Sequence, residues 1–213
     1  MAPELAVDLQ RGCEALGLDI AAERRELMLR YLALLSRWNR VYNLTAVRDE
    51  RQMVIRHLLD SLAIAPYVCG ERLLDVGSGA GLPGIPLAIL FPDREFLLLD
   101  SSGKKTRFLF QVKTALGLAN MSVRRARAET FVAGKPFDAV LSRAFAPLGE
   151  MLAACRHLLA PGGCFLAMVG AYPGDELQAL AEGTLTTVVH PLRVPGLDEQ
   201  RHLVVLRTPG DAP

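Results

Sequence analysis

The chain has 213 residues, enough for one sizeable apolar core and a small appended unit but not for two large independent domains. Hydrophobic residues make up 51% of it and charged residues 22%, with 18 Gly and 13 Pro, which excludes a disordered or collagen-like chain. The formal net charge is +1, so total charge alone gives no argument for a nucleic-acid partner.

The first elements expected are helical. Pro3 to Leu16 reads as a short helix. From Ile20 to Tyr42, the residues Leu27, Tyr31, Leu34, Leu35, Trp38 and Tyr42 recur at spacings of three and four, one apolar stripe on a long helix. Asp49 is placed to cap a third helix that runs to Ile64. Residues 1–66 are therefore expected to form a small helical domain and residues 67–213 a second, α/β domain.

Beyond Pro66 short apolar runs alternate with amphipathic segments, the rhythm of strand-helix-strand units in a parallel sheet. Strands are expected at Arg72–Val76, Glu95–Asp100, Met121–Arg125, Phe137–Ser142 and Gly163–Val169, with helices at Pro83–Phe91, Lys104–Leu116 and Leu148–Leu159. Two final β-rich runs, Thr184–Val194 and His202–Thr208, have no helical pattern between them and are expected to pair as an antiparallel hairpin at a sheet edge.

Charge is unevenly spread. Residues 101–145 carry 9 basic and 2 acidic side chains, a local +7, whereas residues 1–66 carry 9 of each. Such a segment is either a solvated face or a grip for phosphates. Cys13, Cys69, Cys155 and Cys164 form no Cys-x-x-Cys pair and lie in apolar or helical surroundings, so buried free thiols are expected, with neither a zinc site nor a disulfide framework. No apolar run reaches the roughly 18 residues that cross a bilayer, and the N-terminal stretch is acidic, so a cytoplasmic location without membrane attachment is expected.

The chemistry concentrates at residues 73–84, Leu-Leu-Asp-Val-Gly-Ser-Gly-Ala-Gly-Leu-Pro-Gly, where a strand runs into a glycine turn and a proline-primed helix. Asp100 ends the next strand 19 residues after Gly81, near the roughly 20-residue interval at which such folds place a ribose-binding acid. Gly79, Gly81 and Gly84 satisfy the dinucleotide pattern G-x-G-x-x-G. Asp75 directly before them would repel a pyrophosphate, however, and suits a ligand with a cationic sulfonium and ammonium, as S-adenosylmethionine has. A glycine turn with strand-end aspartates and no cofactor is the bland alternative.

The stretches Trp38-Asn39-Arg40-Val41-Tyr42-Asn43-Leu44-Thr45, His57-Leu58-Leu59-Asp60-Ser61, Asp75 to Pro86, Leu99-Asp100-Ser101 with Gly103-Lys104-Lys105, and Ser142-Arg143-Ala144 resemble the glucose-inhibited division protein B family. Its members are guanine-N7 methyltransferases of bacterial small-subunit (16S) ribosomal RNA, and the likeness spans nearly the whole chain. The resemblance implies a Rossmann-like class I S-adenosylmethionine-dependent methyltransferase fold. It also implies that Gly77 and Leu82 line the cofactor pocket with Asp75, Gly79 and Gly81, that Asp100 binds the ribose, and that Ala128 and Glu129 contact the adenine. Arg143 is implied as a further cofactor-side or guanine-side contact. Where relatives often carry Lys before Gly at the end of the fifth strand, this chain has Val169-Gly170, so a role for that lysine is not carried over.

Guanine N7 has an exposed lone pair and no proton to lose, so no general base is expected. Arg143, Asn43 and His57 are the candidates for holding the guanine, with Asp60. His57 reads equally as a structural histidine, and Asp60 with Ser61 as a hydrogen-bonding pair between helices. In A-form RNA, N7 faces a deep narrow groove, so the expected target is a loop in 16S ribosomal RNA, within the small subunit or an assembly intermediate. A monomer without metal is expected. Two other readings remain: a non-catalytic ribosomal-RNA-binding assembly factor with a vestigial pocket, and a nicotinamide-dependent oxidoreductase.

Overall fold

A computed structural model describes residues 3–180 and 185–207, so the expected strand limits Thr184 and Thr208 lie outside the described residues. The chain begins with α1 (Pro3–Ala15) and α2 (Ala22–Tyr42). A third helix follows in three continuous parts: α3 (Glu50–Met53), a π-helical run (Val54–Leu59) and α4 (Asp60–Leu62). Asp49 caps it as expected, its Oδ1 accepting from the Gln52 N–H at 2.8 Å. The stripe of α2 is turned slightly from the expected one. Met28, Tyr31, Leu32, Leu35 and Asn39 are buried, while Leu27, Leu34 and Trp38 pack at its edge.

The rest alternates strand and helix: β1 (Arg72–Val76), α5 (Gly84–Leu90), β2 (Glu95–Asp100), α6 (Gly103–Leu116), β3 (Met121–Arg125), β4 (Phe137–Arg143), α7 (Leu148–Cys155), β5 (Leu159–Val169), α8 (Gly174–Leu180), β6 (Thr186–Leu192) and β7 (Arg201–Arg207). One seven-stranded sheet results, in the order β3-β2-β1-β4-β5-β7-β6. The first five strands are parallel, and β7 runs antiparallel to both β5 and β6, so the hairpin forms the expected edge with its second strand innermost.

The expected helix to Leu159 stops at Cys155, and β5 starts at Leu159 rather than Gly163. Pro161-Gly162-Gly163 reads as a turn in sequence. The sheet instead absorbs it as an irregularity between the Phe137–Leu159 and Ala139–Cys164 pairs, with Gly162 in the left-handed region.

Strand residues alternate between two apolar clusters, one on each face, as a sheet covered on both sides requires. Leu73, Leu141 and Leu166 join the first, Leu74, Val140 and Phe165 the second. The helices before β1 belong to the first: Leu5, Leu9, Met28, Leu35 and Leu58 share it with the strands. Arg24 donates to the Leu90 carbonyl and Arg30 to the Ala115 carbonyl, so α2 satisfies free acceptors at the C-terminal ends of α5 and α6. No helix among the described residues is long and apolar enough to cross a membrane.

Candidate functional site

The strand order reverses between β1 and β4, so the crevice of the fold opens at their C-terminal ends. There the glycine loop is braced by two carboxylates. Asp75 is fully buried, and its Oδ2 accepts from the Gly84 N–H at 2.9 Å. A Cβ on Gly84 would stand 2.5 Å from that oxygen, so only glycine permits the approach. Burial pushes the Asp75 carboxyl up to about 7, against the opposing pull of the Gly84 N–H and the Arg143 charge. Its Oδ1 is buried and has no hydrogen-bond partner among the described residues.

Asp100 takes the outer side of the loop. Its Oδ2 accepts from Gly79 N–H at 2.9 Å, its Oδ1 accepts from Ser102 N–H at 2.8 Å, and Lys105 Nζ lies 3.6 Å away. From the N-terminal segment, the buried Tyr31 hydroxyl donates to the Ala80 carbonyl at 2.8 Å, which ties α2 to the same loop.

Beside this loop lies a cleft of about 230 Å³ at the ends of β1 to β4. Leu99, Ala126 and Ala128 give it apolar wall, Asp100 and Glu129 give it acid, and Lys105 and Arg127 stand at its edge. It is smaller than the roughly 300–1,000 Å³ usual for small-molecule sites. The Phe145 ring lies over Gly77, within 2.4 Å of where a Cβ on that glycine would be.

A second cavity of about 360 Å³ opens on the other side of Ala144, which lines both. Ala144 itself sits in the left-handed region at φ 52°, uncommon for a residue with a side chain. The second cavity is lined by Arg56, His57, Asp60, Arg143, Arg201 and the Met168–Gly170 strand end. Arg143 Nη1 donates both to Asp60 Oδ2 at 3.0 Å and to the Arg56 carbonyl at 2.9 Å. Arg201 Nε approaches Asp60 Oδ1 at 3.2 Å, and Arg56 forms a two-pronged pair with Glu199 at 2.6 and 2.8 Å. The π-helical run carries Arg56 and His57, a local irregularity of the sort that re-aims side chains at functional sites.

His57 Nε2 lies 2.9 Å from Thr45 Oγ1, and the Thr45 N–H donates to the buried Asn39 Oδ1 at 2.9 Å. Burial first, then the Arg143 and Arg56 charges, hold the His57 imidazolium down to about 4, so the ring is neutral near pH 7.

Gly77, Asp100, Ala128 and Glu129 of the sequence-derived set meet in the cleft, and Arg143, His57 and Asp60 meet in the second cavity. The others stand elsewhere. Asp75, Gly79 and Gly81 shape the loop behind the cleft, and Leu82 is 4% exposed in the apolar core. Asn43 is an exposed residue at the C-terminus of α2 with φ 47°, its Oδ1 accepting from Arg48 at 3.4 Å, and it is not brought to either cavity. The neighbouring Asn39 does the bracing instead. Sequence reasoning did not single out Phe145, Lys105, Arg56 and Arg201 as site residues. Lys105 closes the marked stretch Gly103-Lys104-Lys105 and Phe145 directly follows Ser142-Arg143-Ala144, whereas Arg56 and Arg201 reach the site only through folding.

Comparison by sequence gives one family. The family model for rRNA small subunit methyltransferase G, GidB, matches residues 24–204. Ribosomal RNA small subunit methyltransferase G of Ectopseudomonas mendocina is 53% identical over 204 residues, 95% of each chain. Its Yersinia enterocolitica counterpart is 51% identical over 195 residues, 91% of this chain and 95% of the relative. Among solved structures, the glycopeptide N-methyltransferase MtfA complexed with S-adenosylhomocysteine matches with TM-score 0.60 at 14% identity, covering 71% of this chain and 90% of that one. The N-methyltransferase NodS of Bradyrhizobium japonicum matches with TM-score 0.54 at 18% identity, covering 84% and 98%. These structural likenesses carry the class I methyltransferase fold, and the sequence matches carry more: the chain belongs to the rRNA small subunit methyltransferase G family.

Proposed function

We propose that the protein transfers the methyl group of S-adenosylmethionine to N7 of an unpaired guanine in 16S ribosomal RNA. The observation that carries this reading is the meeting of two unlike cavities at Ala144, one lined like a nucleoside site and the other rimmed by guanidinium groups. When bound, S-adenosylmethionine supplies a methyl group already activated on a sulfonium.

The residues present fit that cofactor. Leu99, Ala126 and Ala128 offer apolar surface to a flat ring, and Asp100 and Glu129 offer acceptors to hydroxyl and amino groups. Asp100 has lone pairs beyond the two used by its N–H donors. The Asp75 carboxyl, buried beneath the loop, supplies a counter-charge once a cationic ligand above it draws off its proton. Gly77, lacking a side chain, exposes main chain to that ligand when the Phe145 ring moves aside. Gly79, Gly81 and Leu82 hold the loop's shape rather than the ligand.

On the acceptor side nothing has to remove a proton, because N7 attacks with a free lone pair. Arg143 and Arg201 pair with Asp60 and line the cavity, and guanidinium groups there suit guanine O6 and the backbone phosphates while N7 stays unbonded. A neutral His57 adds no repulsion to a base that becomes cationic on methylation. Residues 1–66 act as the unit that supplies Arg56, His57 and Asp60. The basic residues of 101–145, with Lys105 at the cleft edge, grip phosphates of a splayed loop. The enzyme works in the cytoplasm as a monomer without metal, on the small subunit or an assembly intermediate.

The direct experiment is transfer of isotope-labelled methyl from S-adenosylmethionine to small subunits and to protein-free RNA from cells lacking this gene, followed by nucleoside mass spectrometry. Labelled 7-methylguanosine is expected. Label on another base, or none in either substrate with cofactor binding confirmed, overturns the reading.

A further inference from the structure

Away from both cavities, the structure joins two cysteines that sequence spacing keeps apart. Cys69 lies in the segment leading into β1, and Cys164 lies within β5, 95 residues later, yet their sulfurs are 2.8 Å apart. Cys164 is buried in the core, while Cys69 is partly open to solvent. In the sheet register Cys164 stands opposite Arg207 of β7. All four thiols are free, as the sequence leads one to expect, and three are buried, but Cys69 is partly open and in contact with Cys164.

We infer that Cys69 and Cys164 form an oxidisable dithiol, a modification site that closes to a disulfide when a peroxide reaches Cys69. The geometry supplies both partners of such a reaction. One thiol is accessible and flanked by a guanidinium, the other is sheltered and already in contact with it. The Cys164 S–H donated to Cys69, and after it the Arg207 charge, hold the Cys69 thiol below its ordinary range, although burial opposes them. The same contact and burial push Cys164 the other way. Cys69 is thus the thiol that ionises more readily and, being the more open of the two, the one a peroxide meets first. The remaining two thiols contrast with this pair. Burial pushes Cys13 up to about 11 and Cys155 up to about 12, and among the described residues neither has a sulfur partner.

In the step inferred, the Cys69 thiolate attacks one peroxide oxygen and the O–O bond breaks. Water leaves with a proton from solvent, and Cys69 becomes a sulfenic acid. Cys164 sulfur then attacks Cys69 sulfur, the S–O bond breaks, and the departing hydroxide takes the Cys164 proton as a second water. Two thiols are oxidised by two electrons in total and one hydrogen peroxide is reduced to two waters. The bridge fastens the segment leading into β1 to β5, an interior strand of the sheet. Along β5, Cys164 precedes the cavity residue Met168 by four positions, about 13 Å of strand, so the bridge forms without touching the methyl-transfer site.

The test uses the full-length protein, reduced and then exposed to graded hydrogen peroxide, alkylated after denaturation, and mapped by peptide mass spectrometry without reduction. Two of the four thiols are expected to disappear together. A linked Cys69–Cys164 peptide should appear, dithiothreitol should reverse it, and the midpoint of thermal unfolding should rise on oxidation. In Cys69→Ser the peroxide dose that bridges the wild type should leave Cys164 alkylatable and the midpoint unmoved. Recovery of both cysteines as alkylated thiols overturns the inference, as does Cys69 over-oxidised beside a free Cys164, or a bridge formed only between chains. The wild-type map decides even if the variant does not fold. Because it counts thiols and not methyl groups, its outcome is independent of the proposed activity.

Discussion

Asp60 and Arg143 lie 83 residues apart in the chain and meet at 3.0 Å, which makes a helix of the N-terminal segment and the end of β4 parts of one cavity wall. Arg201 closes on the other oxygen of the same carboxylate at 3.2 Å. One buried anion therefore aims two guanidinium groups that come from different strands. Asp60→Ala is expected to lower stability by about 1–3 kcal/mol in urea unfolding, less than for a wholly buried pair because water still reaches both arginines. Methyl transfer should fall by at least tenfold. Unchanged turnover in a folded variant would remove Asp60 from the acceptor side.

Arg143→Ala separates aim from architecture. Its loss leaves Asp60 with Arg201 as partner, so the fold should change little, while transfer to ribosomal substrate slows at least tenfold. Cofactor affinity measured by calorimetry should change less than turnover, because Arg143 lines the second cavity and not the cleft. A rise in the cofactor dissociation constant that matches the loss in rate would move Arg143 to the cofactor side.

Asp100→Ala should raise the S-adenosylmethionine dissociation constant about 10- to 150-fold, which corresponds to about 1.5–3 kcal/mol for charged hydrogen bonds. It should also lower stability, since Gly79 and Ser102 N–H groups lose their acceptor. Asp100→Asn keeps an acceptor oxygen and should recover part of both effects. Unaltered affinity in Asp100→Ala would count against a ribose on this carboxylate.

The cofactor side was the legible one. Asp75, Gly77, Asp100 and Glu129 stand at or just after the C-terminal ends of strands in a regular strand-helix rhythm, and that rhythm places them at one edge of the sheet whatever the detailed packing. The acceptor side depends on events a pattern does not record. A π-helical run has nearly the same apolar spacing as an α-helix over so short a stretch, yet it decides where Arg56 and His57 point. Asn43 stood out in a motif and proves to be an exposed helix end, while Asn39, four residues earlier, braces Thr45 and through it His57. The Cys69–Cys164 contact rests on the register of β5, which the Pro161-Gly162-Gly163 irregularity sets and no local signal reveals.

Asp75 and His57 should pull the stability curve in opposite directions. The Asp75 carboxyl is raised from 3.8 to about 7, so the folded protein holds an extra proton between those values. The stability Asp75 contributes is full below its unfolded value and is lost as pH rises through about 7. The His57 ring is lowered from 6.5 to about 4, so its contribution is present above 6.5 and is lost as pH falls toward 4. Asp75→Asn should therefore gain on the wild type from pH 5 to about 7 in urea midpoints and level off above that, and His57→Gln should gain on it as pH falls from 7 to 5. Variant curves that run parallel to the wild type would mean that neither group is perturbed in this way.

Phe145 and Gly77 set the last expectation, because the ring fills the ground above a glycine that the cofactor needs open. Phe145→Ala should bind S-adenosylhomocysteine at least as tightly as the wild type, since no side chain then has to be displaced. Gly77→Ala combines two faults: a φ of 61° costs about 1 kcal/mol for a residue with a side chain, and the new Cβ would stand 2.4 Å from the ring. It should weaken binding at least tenfold. The double variant tells the faults apart. If Phe145→Ala restores most of the affinity of Gly77→Ala, the collision dominates. If it restores none, the glycine is required by the backbone or by the ligand itself.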